Sequence, residues 1–188
     1  MDESDKQLVS SYINGDEKAL KELVSRHLKP VYNFIYRISS SKQDTEDITQ
    51  ETFVKVWQKI KKYNPNKSFK TWLFTIAHNT AIDWLRKKRN FVFSNFEDSE
   101  GGNYLENELV DPNPLPDKIL TQAEDEKFVE NLLRQLAPIY REVLILRYAN
   151  ELTFDEIAEI LGKPSDTVKS QHRRALIILR KLIEQPTF

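Results

Sequence analysis

The apolar residues of this 188-residue chain recur every three or four positions, which is the spacing of amphipathic helices. No stretch alternates apolar and polar residues in the way that predicts a sheet. We therefore expect an all-α protein. In the first ninety residues the pattern predicts five helices, over 5–13, 17–27, from Pro30 onward, 45–61 and 68–89.

The second half of the chain predicts helices over 117–135 and 138–148, followed by a helix-turn-helix from Leu152 to Leu182. Thr153 and Glu156 have the spacing of a capping box, and Gly162 permits the left-handed residue that ends a helix. The second helix has an apolar back and a basic front, as in helices that read the major groove. An ordinary helical hairpin with a solvated basic face is the alternative. The apolar back consists of Val168, Ala175, Leu176, Leu179 and Leu182.

Residues 91–116 differ from the rest of the chain. They contain Gly101-Gly102, three prolines and many acidic residues, a composition that cannot bury much surface. We expect a flexible acidic linker over 91–116, joining two small helical domains over 1–90 and 117–188.

The formal net charge of −1 hides two blocks of opposite sign. Residues 54–89 carry ten Lys or Arg against one Asp, and residues 91–126 carry ten Asp or Glu against one Lys. A phosphate backbone responds to such local charge rather than to the total. The basic block therefore indicates a nucleic-acid partner for the first domain.

Several classes of protein are disfavoured by composition. Cysteine is absent, which excludes disulfides and thiolate metal sites, and the three histidines lack metal-ligand spacing. No glycine-rich phosphate loop occurs, so we expect no catalytic residue, no metal and no cofactor. No apolar run approaches the roughly 20 residues that span a bilayer, and no signal peptide is visible. We expect a cytoplasmic protein without membrane insertion.

Three long blocks carry a family resemblance: DTEDITQETFVKVWQKI (44–60), FKTWLFTIAHNTAIDWLRKKR (69–89) and YREVLILRYANELTFDEIAEILGKPSDTVKSQHRRAL (140–176). In content, order and spacing they resemble bacterial RNA polymerase sigma factors of the extracytoplasmic-function subfamily of the sigma-70 family. The resemblance implies a factor that binds core RNA polymerase, directs it to promoters and promotes strand opening. It also implies an anti-sigma factor as a partner. A stand-alone helix-turn-helix regulator is the alternative function.

The first block corresponds to the family's main surface for core polymerase. Helix geometry brings residues at spacings of three and four together on one face, which here combines carboxylates with an apolar strip. A solvated acidic helix is the alternative for this block alone. The core-binding residues that the resemblance implies are Asp47, Gln50, Glu51, Val54 and Trp57.

The second block resembles the part that recognises and opens the minus-ten element. Opening requires cations for the backbone and surfaces that capture unstacked bases of the melted non-template strand. Tyr63 stands where the family places a residue beside an extruded base, and Asn79 matches a base-contacting position. Trp72 and Trp84 are expected in the core, with stacking on bases as the alternative. The implied minus-ten residues are Lys62, Tyr63, Lys70, His78, Asn79, Thr80, Arg86, Lys87 and Lys88.

The third block resembles the domain that reads duplex DNA at the minus-thirty-five element. Gln171 stands where many family members carry a basic residue, and His172 is expected to pack locally. Two interpretations of the linker are possible: an extended tether, or a segment that threads the polymerase cleft. The implied minus-thirty-five residues are Lys169, Ser170, Gln171, Arg173 and Arg174.

Overall fold

The computed structural model describes residues 2–93 and 126–184, and in both ranges helices alternate with short connections. The first range contains α1 (Asp2–Ile13), α2 (Glu17–Ser39), α3 (Lys42–Lys59), one 3₁₀ turn (Ile60–Lys62) and α4 (Phe69–Phe93). The second contains α5 (Glu126–Gln135), α6 (Pro138–Leu144), a π-helical turn (Ile145–Ala149), α7 (Phe154–Leu161) and α8 (Ser165–Glu184). The predicted all-α fold class is confirmed.

The predicted break before Pro30 is wrong, because α2 runs through this residue without interruption. Proline removes one helical hydrogen bond and costs about 3 kcal/mol in a helix interior. The buried face nevertheless continues across it, with Leu23, Val31, Phe34 and Ile35 all buried. Full burial of such side chains stabilises by about 1.5–3 kcal/mol each, so packing outweighs the local preference.

Capping residues set the reversal between α2 and α3. Ser40 adopts a left-handed backbone with φ of 56°, and its N–H donates to the Tyr36 carbonyl at 2.8 Å. The Ser41 hydroxyl then accepts from the Asp44 N–H at 3.3 Å and caps α3. Because two residues separate the helices, α2 and α3 pack side by side as a helical hairpin.

The core of the first range lies where α2, α3 and α4 meet. Phe34 of α2 and Phe74 of α4 are fully buried, with their ring centroids 5.3 Å apart in an edge-to-face arrangement. Ile48 and Val56 supply the buried face of α3, and α1 packs against α2 and α4. This core fixes the exposed faces of α3 and α4 in relation to each other.

The chain forms two compact units. The first contains α1 to α4 together with residues 155–163, and the second contains α5, α6 and α8. In the second unit α6 packs on α8. The Arg141 guanidinium donates to the Leu133 carbonyl at 2.8 Å and the Leu136 carbonyl at 3.0 Å, which secures the end of α5.

The helix-turn-helix has the predicted local backbone. α7 begins directly after Thr153, Gly162 is left-handed with φ of 62°, and the Lys163 N–H donates to the Ala158 carbonyl at 3.0 Å. The predicted apolar residues Val168, Ala175, Leu176 and Leu179 are buried, whereas Leu182 is half-buried. His172 packs locally as predicted: its ring lies 5.1 Å from that of Phe154, and its Nε2 lies 3.1 Å from the Tyr148 hydroxyl.

Some predicted boundaries differ from the structure or cannot be compared with it. α4 continues to Phe93, beyond the predicted linker start at Phe91, and a π-helical turn follows α6 from Ile145. The rest of the predicted linker, 94–116, and the predicted helical segment 117–125 lie outside the described residues. The domain boundaries at 1–90, 91–116 and 117–188 stay predictions.

Candidate protein-docking and nucleic-acid interfaces

An apolar groove of about 530 Å³ runs between α2 and α3. We call it the α2–α3 groove. Leu28, Val54 and Trp57 in its walls are 46%, 44% and 56% exposed, so three large apolar side chains are exposed in one groove. Contiguous exposed apolar surface of this kind marks binding sites. Its walls include Val24, Leu28 and Tyr32 from α2 and Phe53, Val54 and Trp57 from α3.

The predicted core-binding residues lie in or beside this groove. Gln50, Val54 and Trp57 line it, and Asp47 is exposed on the same helix. Glu51 is half-buried and pairs with Lys55 at 2.7 Å. The groove therefore offers an apolar floor with acidic and amide groups along α3.

The α2 wall of the groove was not predicted from the sequence. Val24, Leu28 and Tyr32 recur every four residues, each directly after a buried residue of the same helix. α2 thus carries a second apolar stripe beside its buried one, exposed at Leu28 and half-buried at Val24 and Tyr32. This double stripe is the signal that could have revealed the second wall.

The loop between α3 and α4 is held by an aromatic cluster. The Tyr63 ring is only 6% exposed, and its centroid lies 5.5 Å from Phe69 and 5.3 Å from Trp72. The Tyr63 hydroxyl donates to the Lys67 carbonyl across the loop. The residue predicted beside an extruded base therefore supports the loop, and base capture by Tyr63 stays a prediction.

The middle of α4 presents the predicted base-contacting residue to solvent. Asn79 is exposed, whereas His78 is half-buried and Thr80 is 2% exposed. The Thr80 hydroxyl accepts from the Lys55 ammonium at 3.2 Å. Thr80 thus ties α4 to α3, and Asn79 is the member of this trio that is exposed to solvent.

At the basic end of α4, Lys88 is bridged to α3, and the Arg86 guanidinium donates to Asp83 of its own helix at 3.0 Å. Lys88 donates to Asp44 Oδ2 at 2.6 Å, and the Trp84 indole donates to Asp44 Oδ1 at 3.4 Å. The Lys88 hydrogen bond lowers the pKa of the buried Asp44 carboxyl below its ordinary value. Lys88 consequently clamps α4 to α3. Trp72 and Trp84 are both half-buried, so the expected core position is met only in part. Arg86 and Lys87 are exposed.

Four of the five predicted minus-thirty-five residues form an exposed patch on α8, whereas the Oε1 atom of the fifth, Gln171, is buried. Lys169, Ser170, Arg173 and Arg174 are exposed, and Gln171 is half-buried. Lys169 lies 3.4 Å from Asp166, whose side chain is 97% exposed, so water screens this pair strongly. All five side chains fall within two turns of one helix.

Two further properties concern the described part of the chain only. No group of three or more His, Cys, Asp or Glu residues within 2–93 and 126–184 could hold a metal ion. None of the helices in these ranges is both long and apolar enough to cross a membrane.

Residues 23–91 match the family model described as Sigma-70 region 2, and residues 129–179 match Sigma-70, region 4. The chain is 31% identical over 177 residues to the ECF RNA polymerase sigma factor SigW of Bacillus subtilis, covering 94% of this chain and 95% of that protein. It is 30% identical to the ECF RNA polymerase sigma-E factor of Haemophilus influenzae, covering 96% and 94%. The chain belongs to the ECF sigma factors.

The sigma factor is also similar to solved structures. The RpoE sigma factor of Bartonella quintana, in complex with the anti-sigma factor NepR, matches with a TM-score of 0.69 and 25% identity, covering 89% of this chain and 98% of that one. CnrH, in complex with the cytosolic domain of CnrY, matches in fold with a TM-score of 0.68 and 23% identity, covering 96% and 97%.

As an ECF sigma factor, the protein is a transcription initiation factor. It binds core RNA polymerase, directs it to promoters and promotes strand opening. The match to region 2 as well as region 4 favours this function over that of a stand-alone helix-turn-helix regulator.

Proposed function

We propose that the α2–α3 groove is the surface through which this sigma factor binds core RNA polymerase. The supporting observation is the exposure of Leu28, Val54 and Trp57 in one groove beside Asp47 and Glu51. Protein interfaces combine an apolar centre with a polar rim, and grooves between helices accept amphipathic helices. A helix of the polymerase with an apolar stripe and basic flanks fits this surface.

We propose next that α4 opens the minus-ten element. The Asn79 amide both donates and accepts, so it can read the edge of an unpaired base on the melted non-template strand. Lys62, Lys70, Arg86 and Lys87 supply cations for the backbone, and His78 lies beside the reading position. Tyr63, Thr80 and Lys88 act indirectly, because their polar atoms hold the loop and the α3–α4 pair.

The second unit contributes duplex recognition in this proposal. The patch of Lys169, Ser170, Gln171, Arg173 and Arg174 on α8 enters the major groove at the minus-thirty-five element. The functional divisions follow as 1–90 for core binding and opening, 91–116 for the linker and 117–188 for upstream recognition. The sigma factor would act in the cytoplasm, where polymerase and promoters are found.

We also propose an anti-sigma factor as the regulatory partner. The support is the similarity to RpoE, which was solved with the anti-sigma factor NepR. An inhibitor that covers the α2–α3 groove would compete directly with polymerase. Binding of such a protein should then be lost in the same groove variants that lose polymerase.

Two substitutions test the proposed role of the groove: one reverses a charge beside it, and the other introduces a charge into its apolar centre. Asp47→Lys removes an attractive carboxylate, and Val54→Asp places a charge in the apolar centre. We expect Val54→Asp to raise the Kd for core polymerase at least about 30-fold, as at an interface hot spot, and Asp47→Lys to raise it less. The Kd is measured by fluorescence anisotropy with labelled sigma factor.

Ile82→Asp is the matched control, because Ile82 is 39% exposed and lies on α4 outside the groove. Its Kd for core polymerase should stay within about twofold of the wild type, and circular dichroism should show that all three variants are folded. Equal losses in Val54→Asp and Ile82→Asp, or no loss in either, would refute the proposed docking surface.

A further inference from the structure

The first helix, α1, precedes the residues that match region 2, which begin at 23. Its first turns are fixed by a buried carboxylate. Asp5 is 6% exposed, and its Oδ2 lies 2.8 Å from Nε2 of His27, which is 7% exposed. The other oxygen accepts from the Arg26 guanidinium at 2.7 Å. These bonds lock α1 onto α2.

The last turn of α1 reaches a residue of the α2–α3 groove. The Trp57 indole N–H donates to the Tyr12 hydroxyl at 2.8 Å, across 45 residues of sequence. Trp57 is 56% exposed, so packing alone does not fix its rotamer. Tyr12 is not among the residues that line the groove. Its link to the groove is the hydrogen bond to Trp57.

We infer that Tyr12 is a positioning residue for polymerase docking, holding the Trp57 indole in the orientation that core polymerase meets. The inference rests on the proposed role of the α2–α3 groove. An exposed side chain that becomes fixed on binding loses rotamer freedom, and this entropy loss weakens binding. A hydrogen bond that already fixes the side chain in the free protein reduces the loss that occurs on binding. The lock between Asp5 and α2 keeps Tyr12 in place for this task.

The test compares Tyr12→Phe, Trp57→Phe and the double variant by their Kd for core polymerase. Tyr12→Phe keeps the ring and removes only the acceptor, so we expect a Kd about two- to tenfold higher. In the Trp57→Phe background the bond is already absent, and the same change should have less than a twofold effect. Tyr36→Phe on α2 is the matched control and should bind as the wild type does.

A spectroscopic readout separates positioning from a general effect on folding. The chain has three tryptophans, so ¹H–¹⁵N NMR should give three indole N–H signals, which single Trp→Phe variants assign. Tyr12→Phe should shift the Trp57 indole signal and leave those of Trp72 and Trp84 in place. Shifts in all three signals, or a loss of affinity that persists in the Trp57→Phe background, would overturn the inference in favour of a structural role.

Trp57→Ala distinguishes failure of the inference from failure of the docking surface. If Trp57→Ala and the groove variants leave the Kd unchanged, the α2–α3 groove does not dock polymerase, and both proposals fall. If Trp57→Ala raises the Kd while Tyr12→Phe leaves it unchanged, the groove stands and the positioning role of Tyr12 is wrong.

Discussion

The two surfaces proposed to face DNA in this sigma factor are built differently. On α8 the five candidate residues lie within 169–174, and four of them are exposed. On the α3–α4 loop and α4 the candidates spread over 62–88, and Tyr63, Thr80 and Lys88 also hold the first unit together. One face of a single helix in the major groove can read duplex DNA, whereas opened strands need a basic groove with surfaces on which bases stack. Substitutions in the first unit should therefore mix stability with function, and those on α8 should not.

The largest expected effect is that of Tyr63→Ala. Removing a buried aromatic ring from between Phe69 and Trp72 should lower the free energy of unfolding by about 3–5 kcal/mol. Tyr63→Phe keeps the ring but loses the hydrogen bond to Lys67, and should cost about 1 kcal/mol. Urea unfolding followed by tryptophan fluorescence measures both. If Tyr63→Ala impairs only promoter opening and leaves stability unchanged, Tyr63 has no role in holding the fold. The proposed difference between the two surfaces would then be wrong.

On the other surface, Arg174→Ala should change DNA binding alone. We expect a loss of about 1–3 kcal/mol, or about 5- to 150-fold, in holoenzyme affinity for the minus-thirty-five element if Arg174 contacts a base. The free energy of unfolding should stay within about 0.5 kcal/mol of the wild type. A uniform, salt-dependent loss over all sequences would assign Arg174 to phosphate instead. A marked loss of stability would contradict the proposed difference between the surfaces.

The smallest expected effect is a pH dependence in the first unit. Burial lowers the pKa of His27 below its ordinary value of 6.5, although the Asp5 carboxylate opposes this. As the pH falls below 6.5, the unfolded chain takes up a proton before the folded chain does, so the stability should fall. The effect levels off once the pH passes below the pKa of folded His27. Asp44 does not contribute to this pH dependence, because its pKa lies below 3.8 and its carboxyl stays ionised near neutral pH.

Urea midpoints between about pH 7.5 and 5.5 measure this dependence. His27→Gln keeps a polar group beside Asp5 but cannot titrate, so its midpoint should change less with pH than that of the wild type. The same pH profile in both proteins would show that another group is responsible.

Features set by neighbours along the chain could be predicted from the sequence. The α8 patch follows from helical spacing alone, and Gly162 ends α7 as expected. Features that join distant segments could not be predicted in this way. Lys88 and Asp44 lie 44 residues apart, and the α2 wall of the groove depends on how α2 packs against α3. Pro30 failed as a helix breaker for the same reason, since tertiary burial outweighs local propensity.

The central claim is that α4 opens the strands, while other surfaces bind core polymerase and the minus-thirty-five element. Its most direct test is Asn79→Ala in reconstituted holoenzyme, on a promoter that the wild-type holoenzyme opens. Three quantities are measured: the Kd for core polymerase, retention of promoter DNA, and permanganate reactivity of unpaired thymines near the start site. We predict that reactivity falls markedly while core affinity and minus-thirty-five-dependent DNA retention stay close to wild type. Unchanged reactivity, or equal losses in opening and core binding, would contradict the assignment of strand opening to α4.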